Sequence, residues 1–318
     1  MRDSENPVDT YRGILQILKS FQVLIVLVAL TGLAILVTNG LINGDWGRLS
    51  GGWNNLTVFL SESLPPDWSV TEPRSYPVCE EDIGFFCSIA FIGMMETIKI
   101  AFAATVFGFI GAILLSSLAA RNLSPTWLSI LVRILLSAMR SLPSLIWAIL
   151  FVIVIGFGPL SGILAMTFYT IGYLGKLQYE AIEGMESAPL EASRATGLSH
   201  PEIFTNVVIP QTSNHLLSQM MFMFEYNVRH GTVIGIVGAG GIGYFINNYL
   251  NFLMYDKVFA LLIIIFVVVV IIDLLSMAVR SFVNEQGDVR RPSWLTVLLP
   301  AKHAAEIHHG SAVKDESE

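Results

Sequence analysis

The sequence predicts an all-α membrane protein with about six transmembrane helices, and three observations carry that prediction. Of the 318 residues, 53% are hydrophobic and only 14% are charged, against about 25% charged in soluble domains. The charges are also unevenly placed, because residues 21–38, 100–120 and 141–175 hold none. About 20 apolar residues cross a bilayer core, so the first two runs each fit one helix and the third holds most of two. Finally, breakers fall between the apolar runs: Asn122, Ser124 and Pro125 after the second helix, Phe157-Gly158-Pro159 after the third. Proline cannot continue a helix, and in lipid only helices and closed barrels satisfy their own backbone.

Taken in order, helices are expected near 21–39, 94–120, 127–156, 160–178, 203–229 and 257–280. The first 20 residues are polar, include Arg12 and Lys19, and precede an apolar run. That run is long for a signal peptide, and NGLINGDW after it offers no small-x-small cleavage site, so it reads as an uncleaved first helix. Residues 39–84 hold seven acidic side chains and two basic ones, Arg48 and Arg74. Arg121 opens the second connection, and Arg280, Arg290, Arg291, Lys302 and Lys314 follow the last helix. Basic residues favour the cytoplasm, so both termini are placed inside and the 40–89 loop in the periplasm. Cys79 and Cys87 then face the oxidising side, where a disulfide and two free thiols are both open readings. Residues 231–255 carry no charge, but five glycines within 235–243 weaken a lipid-exposed helix. A Gly-rich turn and a short surface helix are expected there instead of a seventh crossing.

Several functions are argued against. The net charge of −7 disfavours a nucleic-acid partner. Gly238-Ala239-Gly240-Gly241-Ile242-Gly243 matches G-x-G-x-x-G literally, yet a membrane helix precedes it where a dinucleotide fold needs a strand. No G-x-x-x-x-G-K-[ST] occurs, and neither cysteines nor histidines have metal-ligand spacing. No nucleophile–base constellation supports a membrane enzyme. An ion-driven transporter would commonly show internal repeats, and none is visible.

The informative segment is Gly184 to Pro210, GMESAPLEASRATGLSHPEIFTNVVIP. Ser187 is a plausible N-cap with Pro189 in the first turn. Gly197 fits the left-handed position that ends this helix, and Ser199 with Glu202 forms a capping box for a second. A helix–turn–helix between the fourth and fifth membrane helices would project into the cytoplasm to meet a partner. The segment resembles the EAA loop of ABC importer permeases: Glu-Ala-Ala, three residues, Gly, nine residues, then Ile-x-Leu-Pro. Glu191 and Ala192 match, Ser193 stands for the second alanine, Gly197 falls in place, and Val207, Ile209 and Pro210 close the pattern.

That resemblance implies a type I ABC importer permease core over 90–282, with its coupling loop at 184–210. One extra helix at 21–39 precedes the core, a cytoplasmic start covers 1–20, and a cytoplasmic tail covers 283–318. It implies a multi-pass protein of the bacterial inner membrane. The implied partners are a cytoplasmic ABC ATPase dimer, a periplasmic substrate-binding protein, a second permease subunit (most simply a homodimer) and membrane lipid. This chain would bind no cofactor itself, and ATP-Mg would be used by the ATPase. The run Glu225-Tyr226-Asn227-Val228-Arg229, continuing to Gly243, is similar to the phosphonate transporter permeases. Methionine permeases share a similar Gly-rich end and supply the alternative substrate class.

Ionisable groups at membrane depth are functional candidates by default. Glu225 and Arg229 share a helix face, with Asn227 between them. Either they form a self-neutralising pair, or Arg229 meets an oxyanion through its planar donor fork. Arg140 either lines the same pathway or snorkels to the interface.

Overall fold

The structure, a computed structural model, describes residues 7–73 and 84–283. Among these residues there is no strand, only one isolated bridge between Pro73 and Ser88. The chain divides into two compact units at Glu62 and Ser63.

The first unit holds α1 (Pro7–Leu41) and α2 (Gly47–Ser63). Helix α1 includes the apolar span Gln22–Leu41 and starts well before the expected residue 21. The Trp46 indole N–H donates to Asn39 Oδ1 at 2.9 Å, and Arg48 pairs with Asp45 at 3.0 Å. Helix α2 occupies the stretch expected as loop. Leu49, Trp53, Leu56 and Leu60 recur at helical spacing, and this stripe outweighs Gly51 and Gly52.

The second unit contains the remaining helices. Helix α3 (Ile89–Ala119) begins five residues before the expected 94, because the Ser88 hydroxyl caps it by accepting from Phe91 N–H at 3.1 Å. The expected single helix over 127–156 is two, α4 (Thr126–Ser141) and α5 (Ser144–Ile155), bent by 86°. Pro143 causes the break. It has no N–H to donate, and its ring forces Leu142 into an extended conformation, φ −103° and ψ 139°. The Trp147 N–H satisfies one stranded carbonyl of α4, that of Met139, at 3.0 Å.

Helix α6 (Pro159–Glu183) runs longer than expected and packs against α3, α4 and α5. Small residues let these backbones approach, the usual device where lipid removes the hydrophobic drive between helices. A Cβ at Gly108 of α3 would lie 2.3 Å from Thr170 Cγ2, and one at Gly172 would lie 2.8 Å from Arg140 N. After α6 come α7 (Ser187–Ala195) and α8 (His200–Ile203), then a π-helical turn Phe204–Val208 that feeds α9 (Ile209–Ile234). The Gly-rich stretch is a turn with positive φ at Gly238, Gly240 and Gly241, followed by α10 (Ile242–Asn251), in line with the sequence expectation. Helix α11 (Tyr255–Val283) closes the unit against α9 and α10.

By length and composition, α1, α3 and α11 can each cross a membrane. The bent pairs α4–α5 and α9–α10 bring the number to five if each is one span.

Candidate functional site

The α7–α8 hairpin follows from local chemistry. Glu186, not Ser187, occupies the N-cap, and Ser187 is the first helical residue. Pro189 is thereby the third helical residue, where its missing N–H has no intrahelical acceptor to lose. At the other end Gly197 takes φ +77°. Gly197 N–H donates to Arg194 O at 3.0 Å and Leu198 N–H to Ser193 O at 3.3 Å, the Schellman pattern that satisfies terminal carbonyls. Ser199 and Glu202 form the expected capping box. The Ser199 hydroxyl and backbone N–H both donate to Glu202, which holds that carboxyl below its usual range.

The hairpin is fixed to its support. Leu190, Ile203 and Val208 bury against Ala120 and Ile182. Arg194 donates to the Asn122 carbonyl, whose own side-chain amide donates to Ile182 O at 2.8 Å. Arg121 N–H donates to Glu183 at 2.7 Å, Arg133 pairs with the same carboxylate, and the Arg133 guanidinium lies 4.2 Å from the Tyr179 ring centre. Ser193 faces inward and donates to Leu190 O at 2.8 Å. Glu191 and Ala192 are exposed on the outer face, Val207 and Ile209 are half-buried at the entry to α9, and Pro210 is exposed. The outer face of the hairpin thus carries Ala188, Glu191, Ala192 and Arg194, all exposed.

Arg229 is not a free cation. It pairs with Glu225 on α9 and with both carboxylate oxygens of Asp273 on α11, each at 2.9 Å. Arg280 reaches the second oxygen of Glu225 at 3.1 Å. Two positive and two negative groups thus balance between α9 and α11. Asn227 lies elsewhere, buried between α3, α6 and α9, where its amide donates to the hydroxyls of Thr105 at 2.9 Å and Thr170 at 3.1 Å. Arg140 is exposed in the last turn of α4, apart from this network. Cys87 is disulfide-bonded, and Cys79 lies outside the described residues.

The sequence reading passed over an aromatic cluster on α6 and α9. The rings of Tyr169 and Tyr226 stack at 5.7 Å and those of Tyr173 and Tyr226 at 6.3 Å; His230 stacks on Tyr226 at 3.9 Å. Tyr226 donates to the Tyr169 hydroxyl at 3.1 Å, and Ser144 Oγ lies 3.2 Å from His230 Nδ1. The signal was available as spacing: Tyr169 and Tyr173, and likewise Phe222, Tyr226 and His230, are four apart. Beside the Gly-rich turn, a cavity of about 340 Å³ is lined by Glu96, Phe157, Pro159, Tyr244 and Phe245 among others. A helix, α9, precedes that turn, as expected. Among the described residues no cluster of His, Cys, Asp and Glu could hold a metal.

Known proteins agree with this architecture. The family of binding-protein-dependent transport system inner membrane components matches residues 112–284. The phosphite transport system permease protein PtxC of Stutzerimonas stutzeri is 33% identical over 238 residues, 74% of this chain and 81% of that protein. The phosphate-import permease protein PhnE of Mycolicibacterium smegmatis is 32% identical over 235 residues, 73% of this chain and 41% of that protein. A chain of the MetNI methionine ABC transporter, solved in inward-facing conformations, shares the fold with a TM-score of 0.53. That likeness covers 61% of this chain and 95% of the solved chain at 23% identity. With its multi-pass helices and this match over most of its length, the chain belongs to the binding-protein-dependent transport system inner membrane components, the membrane-embedded permeases of ABC importers.

Proposed function

We propose that this chain forms the translocation pathway of an ATP-driven importer for phosphonate or a related phosphorus oxyanion, such as phosphite, phosphate or a phosphate ester. The observation that carries the ATP-driven part is the α7–α8 hairpin. Its left-handed Gly197 and capping box fix the turn between two short helices, and Glu191 and Ala192 stand on the exposed face of the first. An ATPase would dock on that face, and the packing of Leu190 and Ile203 on α6 would carry its motion into the helices. The chain itself supplies no ATP chemistry; ATP-Mg belongs to the partner.

The substrate class rests on the relatives, one named for phosphite and one for phosphate. A periplasmic binding protein would deliver the anion. A second copy of this chain would complete the pathway, since closed two-fold pairing is the commonest assembly. Six crossings follow if α6, with 25 residues and packing against α3 and α4, joins the five spans above. Residues 1–20, the hairpin and the tail would then be cytoplasmic, and 40–89 periplasmic; much of the tail lies outside the described residues.

Crosslinking tests the docking. With Ala192→Cys in the assembled transporter, a short thiol-to-amine crosslinker should join this chain to the ATPase in good yield, and Val267→Cys on α11 should give none. Absence of an ATPase adduct from Ala192→Cys in an active complex would overturn the coupling role.

A further inference from the structure

We infer that the tyrosine ladder of α6 and α9, and not Arg229, is the wall along which the transported anion moves. This rests on the oxyanion reading above. The argument begins with which faces lipid can cover. The exposed side chains of α11 include Leu262, Phe266, Val270, Ile271 and Leu274, all apolar, and beyond the exposed Lys99 those of α3 are Phe102, Phe107, Ile110 and Leu114, apolar as well. The exposed stripe of α9 differs: Gln211, His215 and Arg229 lie on it with Phe222 and Val233, and the half-buried Tyr226 borders it. On α6 the neighbouring stripe is Tyr169, Tyr173, Lys176 and Glu180. Polar groups facing hydrocarbon cost several kcal/mol each, so this face meets water or protein in the assembled transporter.

The chemistry on that face suits a small oxyanion. Tyr226 spends its proton on the Tyr169 hydroxyl, and the Tyr169 proton finds no acceptor among the described residues, so it is available to an anion. The break at Pro143 places Ser144 against His230, which stacks on one face of the Tyr226 ring. Arg140 comes near the same level, since its backbone N abuts α6 at Gly172, between Tyr169 and Tyr173. It makes no ion pair among the described residues, whereas Arg229 is occupied by two carboxylates. Neutral phenol donors grip an anion more weakly than a dry guanidinium pair would. A pathway that must release its cargo is served by such donors.

Two measurements on the complete transporter in liposomes test this. In the first, single cysteines at Gln211, His215 and Val233 are treated with a water-soluble, anionic methanethiosulfonate, with Val267→Cys and Ile271→Cys on α11 as the lipid-facing comparison and wild type as the blank. The ladder face should react at least tenfold faster than the α11 positions. Equal, slow reaction everywhere would overturn the assignment of this face, and this readout does not depend on which solute is carried. In the second, uptake of phosphite and methylphosphonate is measured for Tyr169→Phe and Tyr226→Phe, which keep the stacked rings and lose only hydroxyls. Hydrogen bonds to charged groups are worth about 1.5–3 kcal/mol, so uptake should fall about tenfold or more in Tyr169→Phe, and by less in Tyr226→Phe, whose hydroxyl only orients that of Tyr169, with assembly and basal ATP hydrolysis retained in both. Wild-type uptake in both variants would remove the hydroxyls from the pathway. A wild-type complex that takes up neither solute, yet shows the reactive face, would fault the oxyanion reading and leave the pathway face standing.

Discussion

Arg229 presents one terminal nitrogen to both carboxylate oxygens of Asp273, each at 2.9 Å, across 44 residues of sequence. With Glu225 and Arg280 this ties α9 to α11 through a charge-balanced group of four. Such pairs are costly to break one partner at a time, because the survivor is left uncompensated. Arg229→Gln should therefore weaken the solubilised protein and lower uptake, and Arg229→Gln with Asp273→Asn should recover both, leaving the Glu225–Arg280 pair intact. A coupling of about 0.5 to 1 kcal/mol between the two positions is expected in thermal unfolding, since the Arg229 side chain is partly exposed. Full assembly with no uptake in the double variant would return Arg229 to the pathway. Glu225→Gln with Arg229→Gln is a poorer test, since it strands Asp273 and Arg280.

Gly197 holds φ +77°, and a Cβ there would touch nothing within 4 Å. The constraint is thus conformational. Gly197→Ala should cost about 1–2 kcal/mol locally and slow uptake moderately. Gly197→Pro cannot reach positive φ and also loses the bond to Arg194 O, so it should misaim α7 and abolish uptake while the protein still inserts. Normal crosslinking to the ATPase and normal uptake by the proline variant would contradict the coupling geometry.

Gly243 has the opposite problem. A Cβ there would lie 2.0 Å from Thr232 O and 3.0 Å from Gly235 Cα, both backbone atoms that cannot swing away. Gly243→Ala should part α9 from α10 and lower the melting temperature of the purified protein, by an amount in line with overpacking penalties of about 1–3 kcal/mol. Gly32→Ala, with open space around it, should melt like wild type. Equal melting of the two variants would mean that the Gly-rich turn tolerates side chains.

What the sequence disclosed was mostly local. The hairpin could be read because Gly197, Ser199 and Glu202 act on atoms within three or four residues of themselves. The turn at 235–241 could be read because glycine density is itself the mechanism. The break at Pro143 was passed over because it sits inside the charge-free run 141–175, where length argued more strongly for a continuous crossing. Ser187 was mistaken for the N-cap because Ser is a preferred cap and nothing local ranks Glu186 above it. Helix α2 was hidden by Gly51-Gly52. The second partner of Arg229 could not be read from its own helix, since Asp273 lies on α11. The tyrosine ladder was visible as spacing on α6 and on α9 separately, but only their packing brings the rings together.

The most direct measurement is ATP-dependent uptake by liposomes holding this chain with its ATPase and binding protein, offered phosphite, methylphosphonate, phosphate and methionine in parallel. Accumulation of at least one phosphorus oxyanion is predicted, dependent on internal ATP, insensitive to collapse of ion gradients, and lost in Gly197→Pro. Uptake that proceeds without ATP and disappears when ion gradients are collapsed would contradict the account.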